Sequence, residues 1–300
     1  MGEMKKLSIF MMVLLFGVYF LFPLSSYASE DFHWECENGN WFYRNSNGNA
    51  KKGRFCDENG DIYDTGSNTD GHILISSYST NYQYFDENGR LKNTCMHNNM
   101  DYESLAKKYE NHHKLTFSNE AEFKNFLNYY LLQYQMYNNN SFPVYFCRNS
   151  NDGSYSTTLG NQANYNRNIT ISSVLQKFGR LSVGNPYAQV NEACLKASSM
   201  EYDVSSYNVS LQDSLKSNKG VCWHYSKIAS ILLNDAGVYT EIMTGNYKAI
   251  DGSIGLHIWI RCLINGKWVY ADPTLYSQFP SFYNISYDIL MDRYFCETFF

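Results

Sequence analysis

The sequence predicts an α+β protein in which a small β-hairpin module precedes a larger mixed domain. Three observations carry that expectation. Between residues 31 and 93, Asn-Gly and Asp-Glu-Asn-Gly turns punctuate short aromatic stretches, the pattern of tight hairpins. The stretch KGVCWHYSKIASILLNDAG (219–237) has the apolar spacing of a largely buried helix. The stretch GLHIWIRCLINGKWVYADPT (255–274) alternates as two strands around Asn265-Gly266, the strongest short hairpin signal.

The 300 residues carry a formal net charge of −5, which argues against nucleic acid as a partner. The basic pairs Lys5-Lys6, Lys51-Lys52 and Lys107-Lys108 are isolated and read as solvated surface. Residues 1–28 combine those first lysines, an apolar run from Leu7 to Phe22 and a small-x-small site at Ser26-Tyr27-Ala28. That is a signal peptide, with cleavage expected after Ala28 and a secreted or cell-surface location. An uncleaved anchor is the alternative; after cleavage no membrane contact is expected. Export makes the eight cysteines a question. If Cys222 is a nucleophile, seven remain, and an odd set cannot all pair internally. On its strand, Cys262 shares a side with Ile258 and Ile260 and reads as a small core residue.

Residues 29–94 hold a weak repeat. Its units are CENGNWFYRNSNGNAKKG, CDENGDIYDTGSNTDG and NYQYFDENGRLKN, with Tyr43, Tyr63 and Tyr84 aligned 20 and 21 residues apart. Cys36 and Cys56 each lie seven residues before their tyrosine. A fixed period of this length signals stacked units that need neighbours to bury their faces. The units resemble the choline- and glucan-binding repeats of cell-wall-binding proteins, whose signature is a glycine, an aromatic run and an Asn-Gly turn. The resemblance implies that Trp34, Trp41, Tyr43, Tyr63 and Tyr84 contribute cages or platforms for a wall glycan or choline. A quaternary ammonium suits such a cage because ring faces are electronegative. The alternative is that these aromatics pack the hairpins together. The first unit matches best; in the second, Ile62 stands where Trp41 stands in the first.

A polar stretch, 95–101, reads as a linker, and 102–300 as the second domain. Cys95, His97, His112 and His113 lack a further pair at ligand spacing, so no metal or other cofactor is expected. Phe123, Phe126, Leu127, Tyr130 and Leu131 mark an amphipathic helix with Asn119 as its cap. Residues 142–147 read as a strand and 148–167 as loop, while NITISSVLQKF (168–178) is ambiguous between strand and helix.

In the 219–237 helix, Tyr225, Ile228, Ala229 and Leu232 form one face and His224, Lys227, Ser230 and Asn234 a polar stripe, with Gly237 as the stop. Cys222 sits at its N-terminus, where unpaired amides and the dipole favour an anion. Gly220 is expected to let the backbone approach a substrate. His224 is a poor partner, because two residues along a helix turn it about 200° away. His257 is the better one. It lies eight residues before Asn265, and Asp272 seven after it, so the hairpin sets them roughly opposite each other. An aspartate there can fix the imidazole tautomer and leave the other nitrogen for a thiol. One oxyanion donor would be the Cys222 amide; a second, upstream around Tyr202 or Asn218, is left open.

GVCWHYS, LHIWIRCLINGKWVYADPT and their spacing resemble the transglutaminase-like superfamily, a papain-related cysteine-enzyme fold. The closing YDILMD is similar to the C-terminal segment of its secreted bacterial members, and the core match spans 202–291. The resemblance implies a papain-like/transglutaminase-like catalytic domain with Cys222 as nucleophile, His257 as general base and acid, and Asp272 as orienter. The expected activity is acyl transfer through a thioester, as a peptidase or amidase on protein or peptide at the cell surface. A protein crosslinker using an amine acceptor shares the same three residues. A catalytically inert binding module on wall glycan is the non-enzymatic alternative.

Overall fold

The computed structural model describes residues 31–78, 84–92, 96–97, 100–101, 104–105, 114–128, 130, 144–148, 154–159 and 167–296. The proposed leader, Cys95, His112 and His113 lie outside the described residues. The chain divides into two compact units, 1–51 and 52–300.

In the first unit, β1 (Phe32–Glu37) pairs antiparallel with β2 (Asn40–Asn45). Asn38 and Gly39 both have positive φ, 53° and 82°, the requirement of a tight two-residue hairpin turn. Cross-strand pairing puts Trp34 opposite Tyr43 and Cys36 opposite Trp41, so these side chains share one face.

A second kind of turn recurs, once in the first unit and twice in the second. Asn47 and Asn49 donate their amides to Asn45 Oδ1, and Asn59 and Asp61 do the same to Asp57 Oδ1. Asn88 and Arg90 likewise donate to Asp86 Oδ1. Gly48, Gly60 and Gly89 follow with φ of 79°, 78° and 74°. The repeated element is therefore an Asx-capped turn, and the residue two before the cap is Tyr43, Phe55 or Tyr84. Phe55, not Tyr63, is the local equivalent of Tyr43; Tyr63 lies on the return strand opposite Phe55.

The hairpin β3 (Arg54–Cys56) and β4 (Ile62–Asp64), and the three-stranded sheet of β5 (Ser77–Tyr78), β6 (Tyr84–Phe85) and β7 (Leu91–Lys92), precede two short strands, β8 (Met96–His97) and β9 (Met100–Asp101). Next come β10 (Lys114–Phe117), α1 (Glu120–Asn128), β11 (Val144–Arg148) and β12 (Tyr155–Leu159). Asn119 Oδ1 caps α1 by accepting from the Glu122 amide, as expected. β12 lies inside the stretch read as loop. Its YSTTL run is polar and lacks apolar alternation, yet it pairs with both β10 and β11 at the centre of a sheet. The ambiguous 168–178 segment is helix α2 (Arg167–Phe178).

The rest is α3 (Pro186–Ala197), β13 (Glu201–Tyr202), a 3₁₀ turn (Val204–Asn208), α4 (Leu211–Ser217), β14 (Lys219–Gly220) and α5 (Cys222–Asp235). A four-stranded antiparallel sheet follows, in the order β17 (Lys267–Ala271), β16 (Ile254–Ile264), β15 (Thr240–Lys248), β18 (Tyr294–Cys296). Helix α6 (Tyr287–Arg293) leads into β18. Alternation along β16 assigns its two faces. Ile258, Ile260, Cys262 and Ile264 enter a core with α3 and α5. Trp259 enters the opposite core with Met243, Tyr270, Leu290, Tyr294 and the hairpin residues Ile62, Phe85 and Leu91. His257 falls on the Trp259 side. The 52–92 hairpins are thus seated on the sheet: Trp268 donates its amide to Asn59 O and Tyr270 its hydroxyl to Gly60 O, at 2.8 and 2.9 Å. A Cβ on Gly60 would meet Trp268 O at 2.5 Å, so this turn admits only glycine in place.

Candidate active site

Helix α5 starts without a capping side chain at its N-cap, Val221. His224 supplies the function instead. Its Nδ1 accepts the Val221 amide at 3.0 Å, and its Nε2 donates to Val209 O at 3.0 Å. Burial pushes its pKa down to about 4, so the ring is neutral and occupied at both nitrogens. It stacks on Trp223 with centroids 3.5 Å apart. His224 is a structural cap, turned away from the thiol chemistry.

Gly220 answers to the same cap. A Cβ there would lie 2.9 Å from His224 Cβ and 3.1 Å from Ser214 Oγ. Its small size makes room for His224 rather than for a substrate, which corrects the expectation from sequence. The polar stripe of the helix is also buried: His224, Lys227 and Ser230 are at most 5% exposed. The helix runs between the sheet and its helical neighbours, so both faces meet protein.

Residues 201–209 are stitched along the start of α5. Glu201 and Asp203 donate amides to Asn218 O and Gly220 O, both at 2.9 Å. Trp223 Nε1 donates to Tyr207 O at 3.2 Å. Tyr202 therefore sits beside Gly220, and it is 52% exposed. Burial and then the charges of Cys222 and Asp272 push its pKa up, which places it within electrostatic reach of both. Asn218 is the left-handed cap of α4.

His257 is brought to Cys222 by two ties. Ser226 Oγ, one turn into α5, donates to Ile258 O at 3.0 Å. The hairpin register pairs Ile260 with Ala271, so Asp272 reaches the His257 side of β16. His257 Nε2 lies 2.7 Å from Asp272 Oδ2, which leaves Nδ1 for the Cys222 thiol. Burial alone would lower the His257 pKa. The Asp272 charge and hydrogen bond, followed by hydrogen bonding and charge at Cys222, outweigh it and raise the pKa. Burial in turn would raise the Asp272 pKa, but His257 and hydrogen bonds hold it below the usual range.

Asp272 is fully buried and accepts four hydrogen bonds. Oδ1 takes the amides of Thr274 and Leu275 at 2.9 and 3.1 Å. Oδ2 takes His257 and the Tyr294 hydroxyl, the latter at 2.9 Å. Sequence reasoning found Cys222, His257 and Asp272, which the fold brings together, and missed Tyr294.

Residues 180–273 match the family model of the transglutaminase-like superfamily. This stretch is a transglutaminase-like domain. Three solved structures are similar at low identity. One is named "Putative Cysteine Protease from Cytophaga hutchinsonii" (14% identity, 44% of this chain and 62% of that one, TM-score 0.29). Another is a "putative protease from Parabacteroides distasonis ATCC 8503" (15%, 44% and 36%, 0.25). The third is a "TGase" (13%, 54% and 50%, 0.30). The chain spans less than two thirds of the length of each. No match is found among curated proteins.

The remaining candidates are hairpin aromatics. Trp34 packs on Tyr43 at 4.8 Å, and Tyr43 is buried; Trp41 is 42% exposed. Tyr63 is buried and stacked on Phe55 at 5.6 Å. The side chain of Tyr84 lies outside the described residues. Cys36, Cys194, Cys222 and Cys262 are free thiols. Among the described residues, no helix is long and apolar enough to cross a membrane.

Proposed function

We propose that the protein is an exported, cysteine-dependent acyl-transfer enzyme, acting as a peptidase or amidase on protein or peptide at the cell surface. The observation that carries this reading is His257, buried between the Cys222 thiol and the Asp272 carboxylate. Asp272 keeps the proton on Nε2, so Nδ1 exchanges protons with the reacting centre. The thiolate adds to an amide carbon, forming the C–S bond and an oxyanion. The amide of Cys222 precedes the ladder of α5, whose first bonds run from His224 and Tyr225 to Val221 O, and a helix-start amide of this kind can donate to the oxyanion. Collapse breaks the C–N bond, and the His257 proton goes to the leaving amine. Water then gives its proton to Nδ1 and attacks the thioester, releasing the acid and restoring the thiol. Cys222 is only half-buried, which supports water as the second nucleophile. An amine entering by the same route would make the enzyme a crosslinker.

The hairpins are proposed to hold wall glycan or choline. Exposed Trp41 supports a ligand role there, whereas buried Tyr43 and Tyr63 support packing.

Incubation of the mature chain with casein and a biotinylated pentylamine separates these outcomes. New peptide termini or released ammonia, lost in Cys222→Ala and exceeding amine incorporation, is the expected result. Predominant Cys222-dependent amine incorporation would make the protein a crosslinker. Neither product would favour the inert binding module.

A further inference from the structure

We propose that Tyr294, delivered by the C-terminal strand, is a positioning residue that aligns Asp272 on His257. The inference rests on the enzymatic reading above. Strand β18 pairs with β15 through Tyr247↔Tyr294, Asn246↔Phe295 and Gly245↔Cys296. This register turns the Tyr294 ring under the site. There it meets Trp259 edge-on at 5.0 Å, Tyr247 at 5.0 Å and His257 at 6.3 Å. The side chain is 2% exposed, and its hydroxyl donates to the oxygen of Asp272 that also faces His257.

The direction of that bond is fixed. Burial, followed by the charge and hydrogen bond of Asp272, pushes the Tyr294 pKa far up, so the hydroxyl is a donor at every working pH. An ionised carboxylate offers about four acceptor sites, and here two amides, the imidazole and the phenol fill them. Asp272 therefore has one orientation, and the His257 tautomer follows from it. Groups facing Asp272 are His257 on β16, Tyr294 on β18 and, electrostatically, Tyr202 on β13 and Cys194 on α3. Those facing Tyr294 are Asp272, Tyr247, Arg293 and the His257 ring.

The consequence is a site incomplete without residues beyond α6. A hydroxyl donating to a carboxylate favours its ionised form. Without it, Asp272 takes up a proton at higher pH, and its remaining charge is less shared and holds a proton on His257 more tightly. Both effects move the acid limb of thioester hydrolysis upward.

The test is steady-state turnover of p-nitrophenyl acetate by the full mature chain against pH, with the Cys222→Ala background subtracted. In Tyr294→Phe the acid limb is expected to rise by about one pH unit. Turnover at pH 7 should fall about tenfold with KM little changed. A purely structural tyrosine would lower the melting temperature and leave the limb in place, and that result overturns the proposal. Should Tyr294→Phe not fold, 3-fluorotyrosine at 294, a stronger donor, must move the limb downward; an unmoved limb again overturns it. If the parent shows no Cys222-dependent turnover, the enzymatic reading itself fails, and the inference with it.

Discussion

Asp272→Asn is expected to lower kcat by about 10³–10⁴-fold while the fold is retained. The carboxylate accepts four hydrogen bonds, from His257, Tyr294, Thr274 and Leu275. An amide has one accepting oxygen and one donating nitrogen, and each carboxylate oxygen takes two donors, so two of the four must face an NH₂. With the nitrogen toward His257, the imidazole presents Nε2 as acceptor and carries its proton on Nδ1. That proton then points at Cys222, and the ring can no longer accept one from thiol or water. Orientation alone is lost, so KM should change little. Turnover of p-nitrophenyl acetate, with circular dichroism to confirm folding, measures the effect. A loss below tenfold would mean that Asp272 does not set the tautomer.

Glu241→Leu is expected to destabilise the second unit by about 3–5 kcal/mol, because it leaves the charge of Arg261 buried and unpaired. Arg261 is 1% exposed. Its Nε and Nη2 reach Glu241 Oε2 at 2.7 and 2.6 Å, and its guanidinium lies 4.0 Å over the Trp268 ring. Nη2 also donates to Leu91 O at 3.4 Å, which ties the third hairpin to the sheet. The melting temperature should fall by about 10 °C. Glu241→Leu combined with Arg261→Met should recover most of that loss, since an apolar pair of similar volume avoids the desolvation of both charges. A single variant within 1 kcal/mol of the parent would show that water reaches the guanidinium.

The local chemistry of the site was legible in the sequence where neighbours in the chain decide it. Asn265-Gly266 sets the register of β16 and β17, and that register alone carries Asp272 to His257. The buried face of α5 was likewise written in its spacing. What escaped depends on contacts distant in sequence. Tyr294 reaches Asp272 because β18 pairs with β15, and nothing in RYFCE announces that partner. His224 looked like part of a polar stripe, yet Val209 O and the Val221 amide claim both its nitrogens. Gly220 was read as an opening for substrate, but the space beside it belongs to His224 and Ser214. The repeat was visible through its tyrosines, whereas the geometry recurs in the Asx caps Asn45, Asp57 and Asp86. An Asn/Asp-x-Asn-Gly pattern would have aligned the units on their turns.

In the proposed mechanism Cys222 and His257 act as a pair. The most direct measurement is the rate of iodoacetamide alkylation of Cys222 against pH, located by peptide mass, in mature protein and in His257→Ala. Exposed Cys36 serves as the internal reference thiol. Cys222 is expected to react faster than Cys36, to keep reacting below pH 7, and to lose that advantage in His257→Ala. Alkylation of Cys222 rising only near the ordinary thiol value of about 8.5, and unchanged by His257→Ala, would contradict it.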